Sequence, residues 1–215
     1  KRRWIVAVTA PVLLVLAFFA GPVHRIDETV MPTRVPSEPA ALESYRAAAE
    51  RRHPDIVPGA EKTIVWAHAD RRKTPLAIVY LHGFSASRQE VAPLCDELGA
   101  RLGANVFYAR LAGHGRNPRA MGEVQGNEWL QDATDALAIG REIGERVVLV
   151  GTSTGGTLAL WLAQRDPQKI AALVLISPNL GPRGAGVELL AGPWGAQVLR
   201  AAVGTEHRWD PANAA

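Results

Sequence analysis

The most constraining feature of the sequence is the segment from residue 147 to 156, which reads Val-Val-Leu-Val-Gly-Thr-Ser-Thr-Gly-Gly. The four apolar residues predict a buried β-strand, and the apolar periodicity of residues 157–164 predicts a helix. Gly151 and Gly155 have no side chain that would obstruct a sharp bend between the two elements. The segment therefore predicts a strand, a tight turn with Ser153 at its apex, and a helix.

The order Gly-x-Ser-x-Gly gives Ser153 a chemical interpretation. A serine on such a turn has its hydroxyl pushed out of the sheet, which is the geometry of a nucleophile elbow. A helix that begins at Thr154 directs its free N–H groups and its positive dipole end at charge that develops near Ser153. Gly156 would let this helix pack close to the strand. The alternative is a glycine-rich turn with a solvent-exposed serine, but the flanking strand and helix favour the nucleophile.

The sequence after residue 61 alternates between two kinds of pattern. Apolar runs predict strands, and apolar residues at three- and four-residue spacing predict helices. The predicted strands cover residues 63–68, 76–81, 105–109, 147–150 and 171–176, and the predicted helices cover residues 88–102, 128–143 and 154–164. This alternation predicts an α/β fold, with a mostly parallel sheet flanked by helices. Ligands of such sheets bind beyond the carboxyl ends of the strands, where His82, His114 and Ser153 fall.

The N-terminal segment is apolar enough to contact a membrane. Trp4 to Val23 is a stretch of 20 residues without a charge, preceded by Lys1, Arg2 and Arg3. At about 1.5 Å per residue it would span a bilayer as a helix. The positive flank predicts a single pass with the N-terminus in the cytoplasm and the remaining chain outside an inner or plasma membrane. A cleaved signal segment, which would give a secreted or periplasmic protein, and a buried core helix are the alternatives.

These patterns divide the chain into four parts. Residues 1–28 form the membrane anchor or signal segment, and residues 29–60 form a proline-containing extended linker and a short surface helix. Residues 61–179 form the α/β core. Residues 180–215 mix glycine, proline and apolar residues, which indicates either the start of a lid over a pocket or a packed connector.

Charge and composition narrow the range of partners. The net charge is only +3, and the Lys and Arg residues are scattered, so we do not expect a nucleic-acid partner. The single cysteine, Cys95, falls in an apolar helical pattern, which predicts a buried structural thiol. The sequence contains no phosphate-binding glycine-rich loop and no cluster of metal ligands, so we expect neither an organic cofactor nor a metal.

Four motifs in a fixed order resemble those of the α/β-hydrolase fold. They are Leu81-His82-Gly83-Phe84, Gly113-His114-Gly115, Gly151-Thr152-Ser153-Thr154-Gly155 and Ser177-Pro178. Each motif alone is common, but together and at predicted strand ends they are specific. The resemblance covers about residues 61–215 and is strongest to the monoacylglycerol-lipase and carboxylesterase branch.

The resemblance implies a role for each motif. Ser153 would be the nucleophile, and the backbone N–H groups of Phe84 and Thr154 would form the oxyanion hole. His82 and Gly83 would shape the loop that holds the Phe84 amide, and His114 would be a structural turn residue and not the base. The remaining shaping residues of the elbow are Gly151, Gly155 and Gly156.

The sequence departs from the family in its acid and base, which follow the nucleophile in the order Asp or Glu and then His. The acids after Ser153 are Asp166, Glu188, Glu206 and Asp210, and the one histidine is His207. Asp166 lies at the far end of the predicted elbow helix, and Asp210 follows His207. The strand at residues 171–176 would also be an exposed apolar edge. We therefore expect a fragment of a hydrolase, with the acid and His of the triad not in this chain.

The leading hypothesis is a membrane-associated serine hydrolase that cleaves small-molecule or lipid carboxylic esters through an acyl-enzyme. Because the chain lacks a fitting acid and base, the fragment alone is expected to be inactive. Two alternatives remain open: a non-catalytic binding module with a hydrolase-like fold, and an acyltransferase or peptidase on the same scaffold.

Overall fold

The computed structural model describes residues 12–13, 15–23, 25–181 and 192–204. The chain divides into two compact units, one of residues 26–180 and one of residues 1–25 with 181–215. The larger unit contains the strands β1 Thr63–Val65, β2 Thr74–Leu81, β3 Asn105–Tyr108, β4 Gly144–Thr152 and β5 Ile170–Ile176. Its helices are α1 Pro39–Glu50, α2 Leu94–Leu102, α3 Pro118–Gly122, α4 Gly126–Ile143 and α5 Thr154–Arg165, and the smaller unit contains α6 Gly195–Val203.

The strands form one sheet in the order β1-β3-β2-β4-β5, which confirms the predicted α/β fold. The β3–β2, β2–β4 and β4–β5 pairs are parallel, and only β1 runs antiparallel to its neighbour β3. Leu81 at the end of β2 pairs with Gly151 near the end of β4. The parallel register therefore brings the loop after β2 next to the turn after β4.

Apolar side chains on both faces of the sheet form the core. Along β2, Ala77, Val79 and Leu81 point into one cluster, and Ile78 and Tyr80 point into the other. All five are at most 1% exposed, so the strand is buried on both faces, as its continuous apolar run predicted. Cys95 of α2 lies in the second cluster as a buried free thiol, which confirms the sequence expectation.

The prediction of one helix over residues 88–102 is wrong. Residues Arg88–Val91 form a short 3-10 helix, and α2 begins only at Leu94. Pro93 explains the break, because its ring prevents an intrahelical N–H bond and restricts the preceding residue. The first predicted strand is also shorter than expected and ends at Val65.

The prediction of a membrane-spanning helix at the N-terminus is not supported. Across the described residues, no helix has both the length and the apolar character needed to cross a bilayer. Residues 15–19 are helical, and the chain turns at Ala20 and Gly21. Pro22 explains why the helix stops, since the residue before a proline is disfavoured in helical conformation. Residues 4–11 and 14 of the predicted span lie outside the described residues.

The proline-containing linker, which belongs to the larger unit, packs against α4. Its backbone at Met31 exchanges two hydrogen bonds with the Gln131 side chain of α4, at 2.8 and 3.1 Å. Val30 and Val35 pack against the core cluster. Residues 29–36 lie in neither a helix nor a strand, and Met31 places the segment against α4.

A buried ion pair attaches α1 to the loop after β3. Arg110 donates to both carboxylate oxygens of Glu50, at 3.0 and 2.9 Å, and their side chains are 4% and 10% exposed. Burial opposes ionisation of Glu50, but the hydrogen bonds and charge of Arg110 hold the pKa of its carboxyl below the ordinary 4.5. The folded state is thus stabilised above about pH 4.5, and this stabilisation is lost as the pH falls through the folded pKa.

Replacing Glu50 should destabilise the protein strongly. We expect Glu50→Gln to lower the free energy of unfolding by about 3 kcal/mol or more at pH 7, because it leaves the Arg110 charge buried without its partner. Urea unfolding measures the change, and repeating it toward pH 4 should show a smaller acid-dependent loss in the variant. Glu97→Gln, which removes the exposed pair with Arg101, is the control and should change stability by at most about 0.5 kcal/mol. Equal effects of the two variants would contradict this account.

Candidate active site

Ser153 occupies a strained turn between β4 and α5. Its φ of 49° lies in the left-handed region, which non-glycine residues rarely adopt. Backbone hydrogen bonds hold this conformation: the Ser153 N–H donates to the Ile176 carbonyl at 2.9 Å, and its carbonyl accepts from Asn179 at 3.0 Å. The predicted strand, sharp turn and helix around Ser153 are therefore confirmed as local structure.

Glycines permit the close backbone packing at this turn. A Cβ on Gly155 would lie 1.9 Å from the Leu81 carbonyl oxygen, and a Cβ on Gly151 would lie 2.4 Å from the Gly155 oxygen. A Cβ on Gly156 would lie 2.9 Å from the Pro178 side chain. The start of α5 thus crosses directly over the end of β2, which no larger residue at position 155 would allow.

His82 connects two loops as a neutral, fully buried side chain. Its Nε2 accepts a hydrogen bond from the Leu111 N–H at 3.0 Å, so the ring proton is on Nδ1, which donates to the Gly83 carbonyl at 2.8 Å. Burial lowers the pKa of His82 to about 4, which keeps the imidazole uncharged at neutral pH. Both ring nitrogens are occupied by backbone groups, so His82 serves as a structural bridge.

The hydrogen bond from His82 also determines how the next peptide is oriented. The Gly83 carbonyl accepts from His82 and, at 3.3 Å, from the Ala86 N–H. In a trans peptide the carbonyl and the following N–H point in opposite directions. Holding the Gly83 carbonyl therefore aims the Phe84 N–H away from the buried His82.

Aromatic packing supports the Phe84 loop from its other side. The Phe84 ring stands edge-on to His114 at 5.8 Å and to Trp129 at 6.0 Å, as centroid distances. Both neighbours donate to the Ala112 carbonyl, His114 through Nδ1 and Trp129 through Nε1, each at 3.0 Å. Burial lowers the pKa of His114, which is therefore a neutral side chain of the turn.

The structure brings Ser153 close to the loop that carries Phe84. The Cβ of Ser153 is 3.4 Å from the point that a Cβ on Gly83 would occupy. Ser153 and Thr154 are half-buried, and Phe84 is half-exposed. The predicted nucleophile and the predicted oxyanion loop thus meet at the carboxyl ends of β4 and β2.

The acids and the histidine that follow Ser153 do not complete this site in the described part of the chain. Asp166 pairs with Arg141, which holds its pKa below the ordinary value, and it ends α5 at the opposite end from Ser153. Glu188, Glu206, His207 and Asp210 lie outside the described residues. Within the described ranges, no group of three or more metal-ligating side chains is found.

Sequence reasoning missed Glu90, whose carboxylate lies beside this site. Its Oε1 accepts from the Gly83 N–H and from the Tyr80 hydroxyl, both at 2.6 Å. Tyr80 in turn contacts the Thr152 hydroxyl at 3.0 Å. No motif includes Glu90, and the helical pattern predicted for its segment concealed the 3-10 turn that brings its carboxylate to the Gly83 N–H.

A mostly parallel sheet with a strained serine between strand and helix is the arrangement of an α/β hydrolase. The family model Hydrolase_4, described as serine aminopeptidase, S33, matches residues 72–209. The chain belongs to this family.

Individual relatives agree with the resemblance to lipases and esterases. A thermostable monoacylglycerol lipase of Bacillus sp. is 29% identical over 93 residues, which cover 43% of this chain and 37% of the lipase. A pimeloyl-(acyl-carrier protein) methyl ester esterase of Aromatoleum aromaticum is 39% identical over 119 residues, which cover 54% of this chain and 42% of the esterase. The matches thus span less than half the length of these two relatives.

A solved structure supports the same fold. The structure described as LipS and LipT, two metagenome-derived lipolytic enzymes, aligns with a TM-score of 0.55 at 27% identity. The alignment covers 63% of this chain and 52% of that chain.

The close approach at Gly155 leads to a stability prediction. We expect Gly155→Ala to lower the free energy of unfolding by at least about 3 kcal/mol, because the new methyl group would overlap backbone atoms that cannot move independently. Gly122→Ala is the matched control, since a Cβ at Gly122 meets nothing within 4 Å; it should change stability by less than about 1 kcal/mol. Thermal and urea unfolding of both variants measure the difference, and a tolerated Gly155→Ala would show that the turn has a different packing.

Proposed function

We propose that this protein is a serine hydrolase that cleaves carboxylic esters, with Ser153 as its nucleophile. The observation that supports this most directly is the strained conformation of Ser153 at a strand-to-helix turn beside the Gly83–Phe84 loop. Strain of this kind is stored at functional sites, where it keeps a reactive group exposed.

In the proposed reaction, the Ser153 hydroxyl attacks the ester carbonyl and the carbonyl oxygen becomes negatively charged. The amides of Phe84 and Thr154 would stabilise this oxyanion, helped by the N-terminal end of the α5 dipole. Collapse of the tetrahedral intermediate releases the alcohol and leaves an acyl-enzyme, which water then hydrolyses.

The reaction also needs a base to take the proton of Ser153. His82 uses both ring nitrogens on backbone groups, and burial lowers the pKa of His82 and of His114, which makes each imidazole a weak base. We therefore propose that the acid and the base come from outside the described residues.

The proposed substrates are small-molecule or lipid esters. Support comes from the similarity to a monoacylglycerol lipase, to a methyl ester esterase and to lipolytic enzymes. An acyltransferase or a peptidase would use the same acyl-enzyme chemistry, and the description of the family model as a serine aminopeptidase keeps the peptidase as the second candidate.

Replacing the proposed nucleophile should abolish activity. In the product of the full reading frame, we expect Ser153→Ala to eliminate labelling by a fluorophosphonate probe and to lower ester hydrolysis by at least about 1,000-fold. Ser44→Ala, a substitution at an exposed serine of α1, should leave both unchanged. Retained hydrolysis in Ser153→Ala would contradict the proposal, and a folded wild-type protein without labelling would favour the non-catalytic binding module. Parallel assays with aminoacyl arylamides separate the peptidase from the esterase.

We also propose that the N-terminal apolar segment associates with a membrane and leaves the hydrolase unit outside the cytoplasm. The uncharged stretch from Trp4 to Val23 supports this. In the smaller unit, Leu13, Leu16 and Phe19 are at least 60% exposed. Contact with lipid would remove these apolar surfaces from water.

Deleting the N-terminal segment should release the protein from membranes. We expect the full product to float with vesicles of zwitterionic lipid in a density gradient, and a variant that lacks residues 1–25 to remain in the soluble fraction. Folding of the deletion variant is checked by its unfolding transition. Equal flotation of the two proteins would contradict membrane association through this segment.

A further inference from the structure

We propose that Glu90 is a positioning residue for the oxyanion loop, linking that loop to the turn that carries Ser153. The inference rests on the proposed function and assigns a role to a carboxylate that lies outside every motif of the sequence. It follows from a connected set of hydrogen bonds between β2, the 3-10 helix Arg88–Val91 and β4.

The first link holds the backbone of the oxyanion loop. Glu90 Oε1 accepts the Gly83 N–H at 2.6 Å. The carbonyl of Gly83 accepts a hydrogen bond from His82 Nδ1 at 2.8 Å. Gly83 is therefore bonded at both of its backbone polar groups. The Glu90 bond restrains the His82–Gly83 peptide, and the His82 bond restrains the next peptide, which carries the Phe84 N–H.

The second link reaches the strand that ends at the nucleophile. The Tyr80 hydroxyl donates to Glu90 Oε1 at 2.6 Å, and it lies 3.0 Å from Thr152 Oγ1. A phenol has one proton, so the Thr152 hydroxyl is the donor to the Tyr80 oxygen. Burial, with the Glu90 hydrogen bond adding to it, raises the pKa of Tyr80 above its ordinary 10, which keeps that proton in place. Glu90 is thus joined to the residue directly before Ser153.

The third observation is the position of Gly83 between the Glu90 carboxylate and Ser153. The point that a Cβ on Gly83 would occupy is 3.2 Å from Glu90 Oε2 and 3.4 Å from Ser153 Cβ. Gly83 therefore lies between Glu90 and Ser153, and it has no side chain that would separate them. A shift of this loop would change the distance from the Phe84 amide to the reacting carbonyl.

The test compares substitutions at Glu90 in the product of the full reading frame, with a short p-nitrophenyl ester as substrate. We expect Glu90→Ala to lower kcat by about 10- to 100-fold with KM within about threefold, because the loop acts on the oxyanion and not on ground-state binding. Glu90→Gln retains the Oε1 acceptor and should stay within about fivefold of the wild-type kcat. Glu97→Ala, at an exposed glutamate of α2, is the control for loss of a nearby charge and should have no effect.

A second measurement does not depend on turnover. We expect amide hydrogen exchange of the peptide that spans residues 82–87 to be faster in Glu90→Ala than in the wild type, and unchanged in Glu90→Gln. Adding Tyr80→Phe to Glu90→Ala should cause little further loss of kcat, since the two side chains belong to one connected set.

The outcomes separate the two proposals. An active enzyme in which Glu90→Ala keeps the wild-type kcat and exchange rate would overturn the role of Glu90 and leave the proposed function standing. Equal loss of kcat in Glu90→Ala and Glu90→Gln, with exchange unchanged in both, would also overturn it, because charge and not the hydrogen bond would then be responsible. A wild-type protein that shows neither turnover nor labelling at Ser153 would instead overturn the proposed function.

Discussion

The parallel pairing of β2 with β4 is the constraint on which the candidate site depends. It aligns Leu81 with Gly151, so the two strands end side by side and the chain leaves them at the same edge of the sheet. The Gly83–Phe84 loop follows one strand, and the Ser153 turn follows the other. Side chains of both strands pack into the clusters on both faces of the sheet, so a shift of register would separate them from their packing partners. The core therefore maintains the relative position of the two loops.

The site itself is built largely from backbone groups. His82 is held neutral by burial and uses both ring nitrogens on main-chain partners, so its contribution is to orient a peptide group. The close approach of α5 to the end of β2 also involves backbone groups. Gly155 has no side chain, so the main chain of Leu81 can lie directly against it. The proposed oxyanion hole of amides would need this rigidity, because donors that are already oriented do not have to reorganise as charge develops.

Local patterns predicted the elements whose cause is local. The four apolar residues before Gly151, the periodicity of α4 and the glycines of the elbow each act on their own neighbours, and the structure contains these elements. The prediction of one helix over residues 88–102 was wrong because it rested on apolar spacing alone. In the structure Pro93, which has no N–H to donate, separates the 3-10 helix from α2. The membrane-spanning helix was predicted from the apolar character of residues 4–23. In the structure the helical residues 15–19 of this segment are followed by a turn at Ala20 and Gly21, just before Pro22.

The α/β class, the strand–serine–helix turn and the choice of Ser153 as the proposed nucleophile could all be predicted from the sequence. Each depends on residue type and spacing over a few neighbouring positions. The groups that surround Ser153 could not be predicted in this way, because they come together only in the folded chain. The bonds from Leu111 to His82 and from Tyr80 to Thr152 join residues that are far apart in the chain. Glu90, which accepts from Gly83 and Tyr80, lies in the segment for which one continuous helix was wrongly predicted. Such contacts arise from the register of the sheet and the crossing of α5, and no local pattern encodes them.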